Sequence, residues 1–196
     1  MQRPRLVVAF VVLLFVGLTL AGTYYVRRCV FEQALRVVFK SEDEEQIAAL
    51  VKCWPSPVNV EVDNNYTVLQ WAVWEGKTEL AKLCVEKGAR LNRVAPPTPG
   101  CPWRMTPIQV AIYRRDLDVI ESLIAHGADV NLTKGTTGSG PLLMAARHGD
   151  AQITGLLIAA GADVNVRDED GRTPLALAEE KGCRDVVRLL RAHGAK

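Results

Sequence analysis

The sequence contains no CxxC pair, no HExxH, no GxSxG and no glycine-rich phosphate loop between a strand and a helix. Zinc-finger, zincin, serine-hydrolase and nucleotide-cradling chemistries therefore lack the residue patterns that carry them. Five cysteines, Cys29, Cys53, Cys84, Cys101 and Cys183, form an odd set at irregular spacing. Such a set reads as small packed residues, not as a disulfide framework or a metal site. The histidines fall at His126, His148 and His193, and two of them sit in the same HGA phrase, where a surface or hydrogen-bonding role fits. Carboxylate pairs such as Asp168 and Asp170 fall in what the pattern makes solvated hairpin tips, with nothing to activate them. No enzyme chemistry, cofactor or metal follows. Nor does any cluster of Lys and Arg exceed a pair. The net charge of +2 divides unevenly, because the first thirty residues hold four arginines and no acid, leaving 20 basic against 22 acidic residues. Without a basic face to gather phosphates, nucleic acid is not an expected partner.

Charge is missing altogether from Leu6 to Val26 (LVVAFVVLLFVGLTLAGTYYV). As a helix rising ~1.5 Å per residue, this run matches the ~30 Å hydrocarbon core of a bilayer. Tyr24 and Tyr25 stand where interfacial aromatics belong, and Arg27 and Arg28 close the span. Residues 1–28 are therefore expected to be a transmembrane anchor. A cleaved signal peptide is the rival, with Arg3 and Arg5 as its basic start and a small-residue site near Thr19-Leu20-Ala21. Thr23 stands where a lipidated cysteine would have to be, which disfavours a lipoprotein.

What is present recurs. GADVN occurs at Gly127 and Gly161, with GARLN at Gly88 and GAK at Gly194, so the intervals are 39, 34 and 33 residues. A second phrase keeps step at Thr67-Val68-Leu69, Thr106-Pro107-Ile108, Gly140-Pro141-Leu142 and Thr173-Pro174-Leu175. In the last copy Thr173 can cap a helix and Pro174 suits its first turn. The apolar residues Val186, Val187, Leu189 and Leu190 of the last copy recur at helical spacing and are expected to face a core. A glycine then supplies the left-handed backbone that ends the second helix. Ser41-Glu42-Asp43-Glu44 has the capping-box spacing ahead of Ile47, Leu50 and Val51.

A period near 33 that joins a TPL helix start to a GADVN turn resembles the ankyrin repeat. The resemblance covers about residues 41 to 196, and DEDGRTPLALAEEKGCRDVVRLLRAHGAK matches the pattern almost throughout. It implies an all-α solenoid of helix-turn-helix repeats with β-hairpin-type loops. Residues 29–60 are expected to be a capping repeat and residues 61–196 four repeats, with a Pro-rich insertion at 93–105. It also implies a surface used for binding, not catalysis.

Two departures from the pattern stand out. The insertion NRVAPPTPGCPWRMT carries Trp103 at its tip, which either meets a partner or folds back onto the repeats. Arg115 occupies a place where the other copies have Gly76, Gly149 and Gly182, so it must accept an unfavourable backbone or shift the turn. The family displays variable residues at the ends of its first helices. Here these are Trp74 and Glu75, Tyr113 and Arg114, Arg147 and His148, and Glu180 and Lys181. An aromatic and basic concave stripe of Trp74, Tyr113 and Arg147 is the expected partner-binding face, with Tyr66, Trp103 and Arg172 in the same candidate set. Trp74 alternatively packs under the long insertion, and Trp71 aligns with core leucines such as Leu177.

The expected function is a non-enzymatic protein-binding module tethered to a membrane. Its layout looks like bacterial ankyrin immunity proteins that block secreted toxins such as the phospholipase effectors of type VI secretion. In that case the repeats face the periplasm from a single-pass inner-membrane anchor. The alternative is a cytosol-facing scaffold or adaptor. Arg3 and Arg5 favour the first orientation; Arg27, Arg28, Arg36 and Lys40 favour the second.

Overall fold

The computed structural model describes residues 35, 38, 43–53, 59–63, 66–95, 104–133 and 139–196. The span expected at residues 6–26, the tip residue Trp103 and most of the insertion lie outside these. Among the described residues no helix is long and apolar enough to cross a membrane.

The described helices are α1 (Glu44–Cys53), α2 (Val68–Glu75), α3 (Thr78–Glu86), α4 (Pro107–Arg114), α5 (Leu117–Ala125), α6 (Pro141–His148), α7 (Ala151–Ala159), α8 (Pro174–Glu180) and α9 (Arg184–Ala192). Two short strands, β1 (Glu61–Asp63) and β2 (Tyr66–Thr67), pair antiparallel ahead of α2. Consecutive helices pack as pairs, α2 on α3, α4 on α5, α6 on α7 and α8 on α9. The first helices of the pairs form an inner row, α2 to α4 to α6 to α8, and α1, α3 and α5 continue one another in an outer row. One apolar core runs the length of the stack, from Leu35 through Leu69, Ile112, Leu123 and Leu157 to Leu190.

The inner helices begin where their caps stand. Thr67 and Thr106 each accept a hydrogen bond from the backbone N–H three residues on, and Gln70 and Gln109 return the bond, completing capping boxes. The same glutamines reach onward, each donating Nε2–H to the next repeat's loop, at Arg93 O (2.9 Å) and Ser139 O (2.9 Å). Ahead of α1 the Asp43 carboxylate accepts Gln46 N–H at 3.1 Å, as a cap does, and the helix starts at Glu44; Ser41 lies outside the described residues.

Every letter of the recurring phrase has a physical assignment. Gly127 and Gly161 both lie at φ 87°, which a Cβ disfavours, and they let the chain leave α5 and α7. The following alanine donates its N–H back into the helix, Ala128 to Leu123 O and Ala162 to Leu157 O, closing the six-residue helix end. Asp129 and Asp163 then turn the chain by accepting the N–H two residues on, at 2.8 and 2.9 Å. Val130 is buried. The closing asparagine joins the repeats, because its Oδ1 accepts a backbone N–H from the next copy of the phrase. Asn59 takes Arg90 (2.7 Å), Asn92 takes Asp129 (2.8 Å), Asn131 takes Asp163 (2.9 Å) and Asn165 takes Lys196 (2.9 Å). Asn131 Nδ2 also donates to Gly161 O at 3.0 Å. Asparagine therefore recurs because it spaces the stack.

At the far end, Val186 and Leu190 are buried, but Val187 and Leu189 stay half-exposed. The helical spacing placed all four toward a core. In the stack α9 packs on α7 and α8, and that burial covers only part of its apolar surface.

Candidate protein-binding face

The inner helices end side by side, so the residues in their last turns form a surface. Trp74 lies against the core and its ring stacks on Tyr113, with centroids 6.4 Å apart and planes within 4°. Tyr113 in turn meets His148 at 6.3 Å and an interplanar angle of 56°. Tyr113 is the exposed large hydrophobic residue of the described surface, at 55%. Three successive repeats thus present one aromatic ladder.

Position-by-position matching put Arg147, not His148, in line with Trp74 and Tyr113. The geometry shifts that line by one residue. Arg147 turns to the hairpin of the next repeat, where it lies 3.6 Å from the Asp168 carboxylate. Asp168 is not a solvated tip residue: its side chain is only 5% exposed, and it holds Arg172 through the backbone N–H (2.8 Å) and Nε–H (2.9 Å). Burial works against its charge, yet the Arg172 hydrogen bonds and guanidinium outweigh that and hold the carboxyl below its ordinary range. Arg172 also pairs with Asp170 at 2.6 Å and feels the charge of Glu180. Arg147 and Arg172 therefore gather around Asp168 as a structural ion cluster beside the ladder, with Glu180 in electrostatic reach of Arg172.

The second repeat contributes two guanidiniums. Arg114 extends over Gly76, where any Cβ would collide with it, and donates Nη1–H to the Trp74 carbonyl at 2.6 Å. Arg115 accepts the left-handed conformation at φ 59°, ψ 34°, the one non-glycine residue with positive φ among those described. That backbone costs an arginine about 1 kcal/mol or more. Its side chain reaches the other way and donates Nη2–H to the His148 carbonyl at 3.0 Å. The pair straddles Tyr113 and grips the helix ends on both sides, where the last-turn carbonyls concentrate negative potential. Arg115 was visible in the sequence as a departure from glycine, but that departure pointed only to the turn and not to this contact.

His148 is half-buried, with no hydrogen-bond partner at its buried Nδ1. Burial first, then the charges of Arg115 and Arg147, push its pKa below 6.5, against a smaller opposite pull from Asp150. The ring stays neutral at physiological pH and belongs with the aromatics. His126 and His193 instead bond the carbonyls four residues back, Ser122 O and Leu189 O, both at 2.9 Å.

The remaining candidates lie apart. Glu75 and Lys181 are exposed at the ends of their helices. Tyr66 sits half-buried in β2, before α2 begins. Trp71 packs against the core. Of the cysteines described, Cys84 is buried, and desolvation pushes its thiol up to about 12. Among the described residues no group of His, Cys, Asp and Glu is placed to hold a metal ion.

The chain matches the family model of ankyrin repeats (three copies) over residues 35–134 and again over 108–196. It is similar to cyclin-dependent kinase 4 inhibitor B of Bos taurus, 39% identical over 124 residues that span 62% of this chain and 87% of that protein. Cyclin-dependent kinase inhibitor 2A of Homo sapiens is 40% identical over 124 residues, 63% of this chain and 75% of its own. A match to the putative palmitoyltransferase ZDHHC13 of Danio rerio, 32% identical over 117 residues, spans 60% of this chain but only 17% of that protein. The repeats and the inhibitor relatives point to a protein-binding module rather than an enzyme. With its paired helices, stepped asparagines and matching sequence model, the chain belongs to the ankyrin-repeat family.

Proposed function

We propose that this chain is a membrane-tethered binding module whose aromatic ladder grips an enzyme and holds it inactive. One observation carries the reading. Trp74, Tyr113 and His148 make a continuous ring-to-ring path across three repeats, with the solvent-exposed Tyr113 at its centre. Aromatic and arginine side chains are the usual anchors of interfaces, because they bury large areas at little conformational cost. The inhibitor relatives support an enzyme as the occupant. The uncharged run at residues 6–26 supports tethering, and Arg3 and Arg5 ahead of it support repeats on the periplasmic side of a bacterial inner membrane. In that setting a secreted toxin such as a phospholipase is the enzyme to be blocked. With the opposite orientation, the repeats serve as a cytosolic scaffold.

Two measurements test this. A photo-reactive side chain in place of Tyr113 should crosslink one protein in the native host, and the same group at Glu121, exposed on α5, should not. Crosslinking from position 121, or only from position 103, would refute the ladder. A phosphatase that folds only in the periplasm, fused after Lys196, should be active; an inactive phosphatase alongside an active cytosolic reporter would establish the scaffold orientation.

A further inference from the structure

We infer that the ladder's occupant presents a carboxylate-bearing segment, an Asp or Glu beside an apolar side chain, to the paired guanidiniums of Arg114 and Arg115. The inference rests on the ladder being the binding face. Its own evidence is the strain at Arg115. The equivalent places in the other copies are Gly76, Gly149 and Gly182, all at positive φ without penalty. An arginine held in that backbone puts a second permanent charge next to Arg114, on either side of the exposed Tyr113 ring.

At this corner Asp150 is engaged by Ile153 N–H (3.1 Å) as the cap of α7, and exposed Glu75 opposes only part of the two guanidinium charges. Arg114 and Arg115 are exposed, and each uses one N–H on a helix-end carbonyl, out of the five a guanidinium carries. The adjoining carboxylate, Asp116, faces away, accepting from Val119 N–H (3.2 Å) and Thr78 Oγ1–H (2.7 Å). Asp168 is occupied by Arg172 and Arg147. A carboxylate arriving over Tyr113 would therefore find a planar guanidinium on either side that can bind it bidentately, while its neighbouring apolar side chain covers the ring. A basic or neutral segment would bury those guanidiniums unpaired.

The test is to select peptides from a displayed random library on the full chain in detergent micelles. Recovered peptides should share an acidic residue next to an apolar one and should weaken as salt rises. Their affinity should fall more than tenfold for Arg115→Gly, whose fold is as stable as the parent or more so because the backbone strain is relieved. Arg115→Asn, which tolerates the same backbone without the charge, should lose binding equally and guards against a folding artefact. Peptides that need Tyr113 yet bind Arg115→Gly as tightly, or that share no acidic residue, would overturn this inference and leave the ladder standing. Peptides indifferent to Tyr113→Ala would overturn both.

Discussion

Replacing Asn131 with alanine removes two bonds between the second and third repeats: Oδ1 from the Asp163 N–H (2.9 Å) and Nδ2–H to Gly161 O (3.0 Å). A typical intramolecular hydrogen bond contributes ~1 kcal/mol net. Asn131, Gly161 and Asp163 are all exposed, so water replaces the lost partners and no buried-group penalty is added. The expected loss is about 1–2 kcal/mol, and each kcal/mol lowers the melting point of a domain this size by about 2–4 °C. In a repeat array stability is a sum of units and the contacts between neighbours. The loss should therefore appear at one seam: hydrogen exchange at the Asp163 amide should accelerate while Asp129, held by Asn92, stays protected. Asn131→Asp keeps the acceptor and loses the donor, so it should lose roughly half as much and leave Asp163 protected. An unchanged urea midpoint together with unchanged exchange at Asp163 would refute the role assigned to the recurring asparagine.

Three further outcomes are expected. Gly161→Val should destabilise by ~1–3 kcal/mol through backbone conformation alone, since an added Cβ there meets nothing within 4 Å. Gly76→Ala combines the same kind of strain with a collision against Arg114, and should also free that guanidinium from the Trp74 carbonyl; a smaller loss than in Gly161→Ala, compared by urea midpoint, would contradict that contact. The folded protein holds His148 with its pKa depressed below 6.5, so the unfolded chain takes up the proton first. That contribution to stability is complete above the ordinary value and is lost as pH falls through it toward the depressed one. Urea midpoints measured from about pH 7.5 to about pH 5.5 should fall less in His148→Gln than in the parent, and parallel profiles would refute the assignment.

The repeat architecture was legible because its signals are local. Thr67, Thr106 and Thr173 cap helices through bonds that span three residues, and the glycines of GADVN end helices wherever they stand. The face was less legible, because it depends on how neighbouring repeats are rotated. Spacing alone put Tyr113 beside Arg147; the packed helices put it beside His148 and sent Arg147 to Asp168. Asp168 looked like a loop-tip acid, although Arg172 stands four residues on in the same hairpin and holds it; Arg147 reaches it from a helix of the preceding repeat. Arg115 was recognisable as an intruder at a glycine position, yet its contact with His148 O crosses 33 residues of chain. Asn131 belonged to the most conspicuous phrase of all. Its partner lies one whole repeat away, in the next copy of that phrase, and the repetition itself was the signal that could have paired them.

Trp74 and Tyr113 are the anchors of the proposed face, and their most direct test is the dissociation constant of the crosslinked partner for variants of the full chain. Truncating a central aromatic anchor typically costs ~2 kcal/mol or more, beyond a tenfold loss. Trp74→Ala and Tyr113→Ala should each weaken binding by more than tenfold with the fold intact by circular dichroism, while Glu121→Ala leaves it within about twofold. Undiminished affinity in both aromatic variants, with Trp103→Ala abolishing binding, would show that the insertion and not the ladder holds the partner.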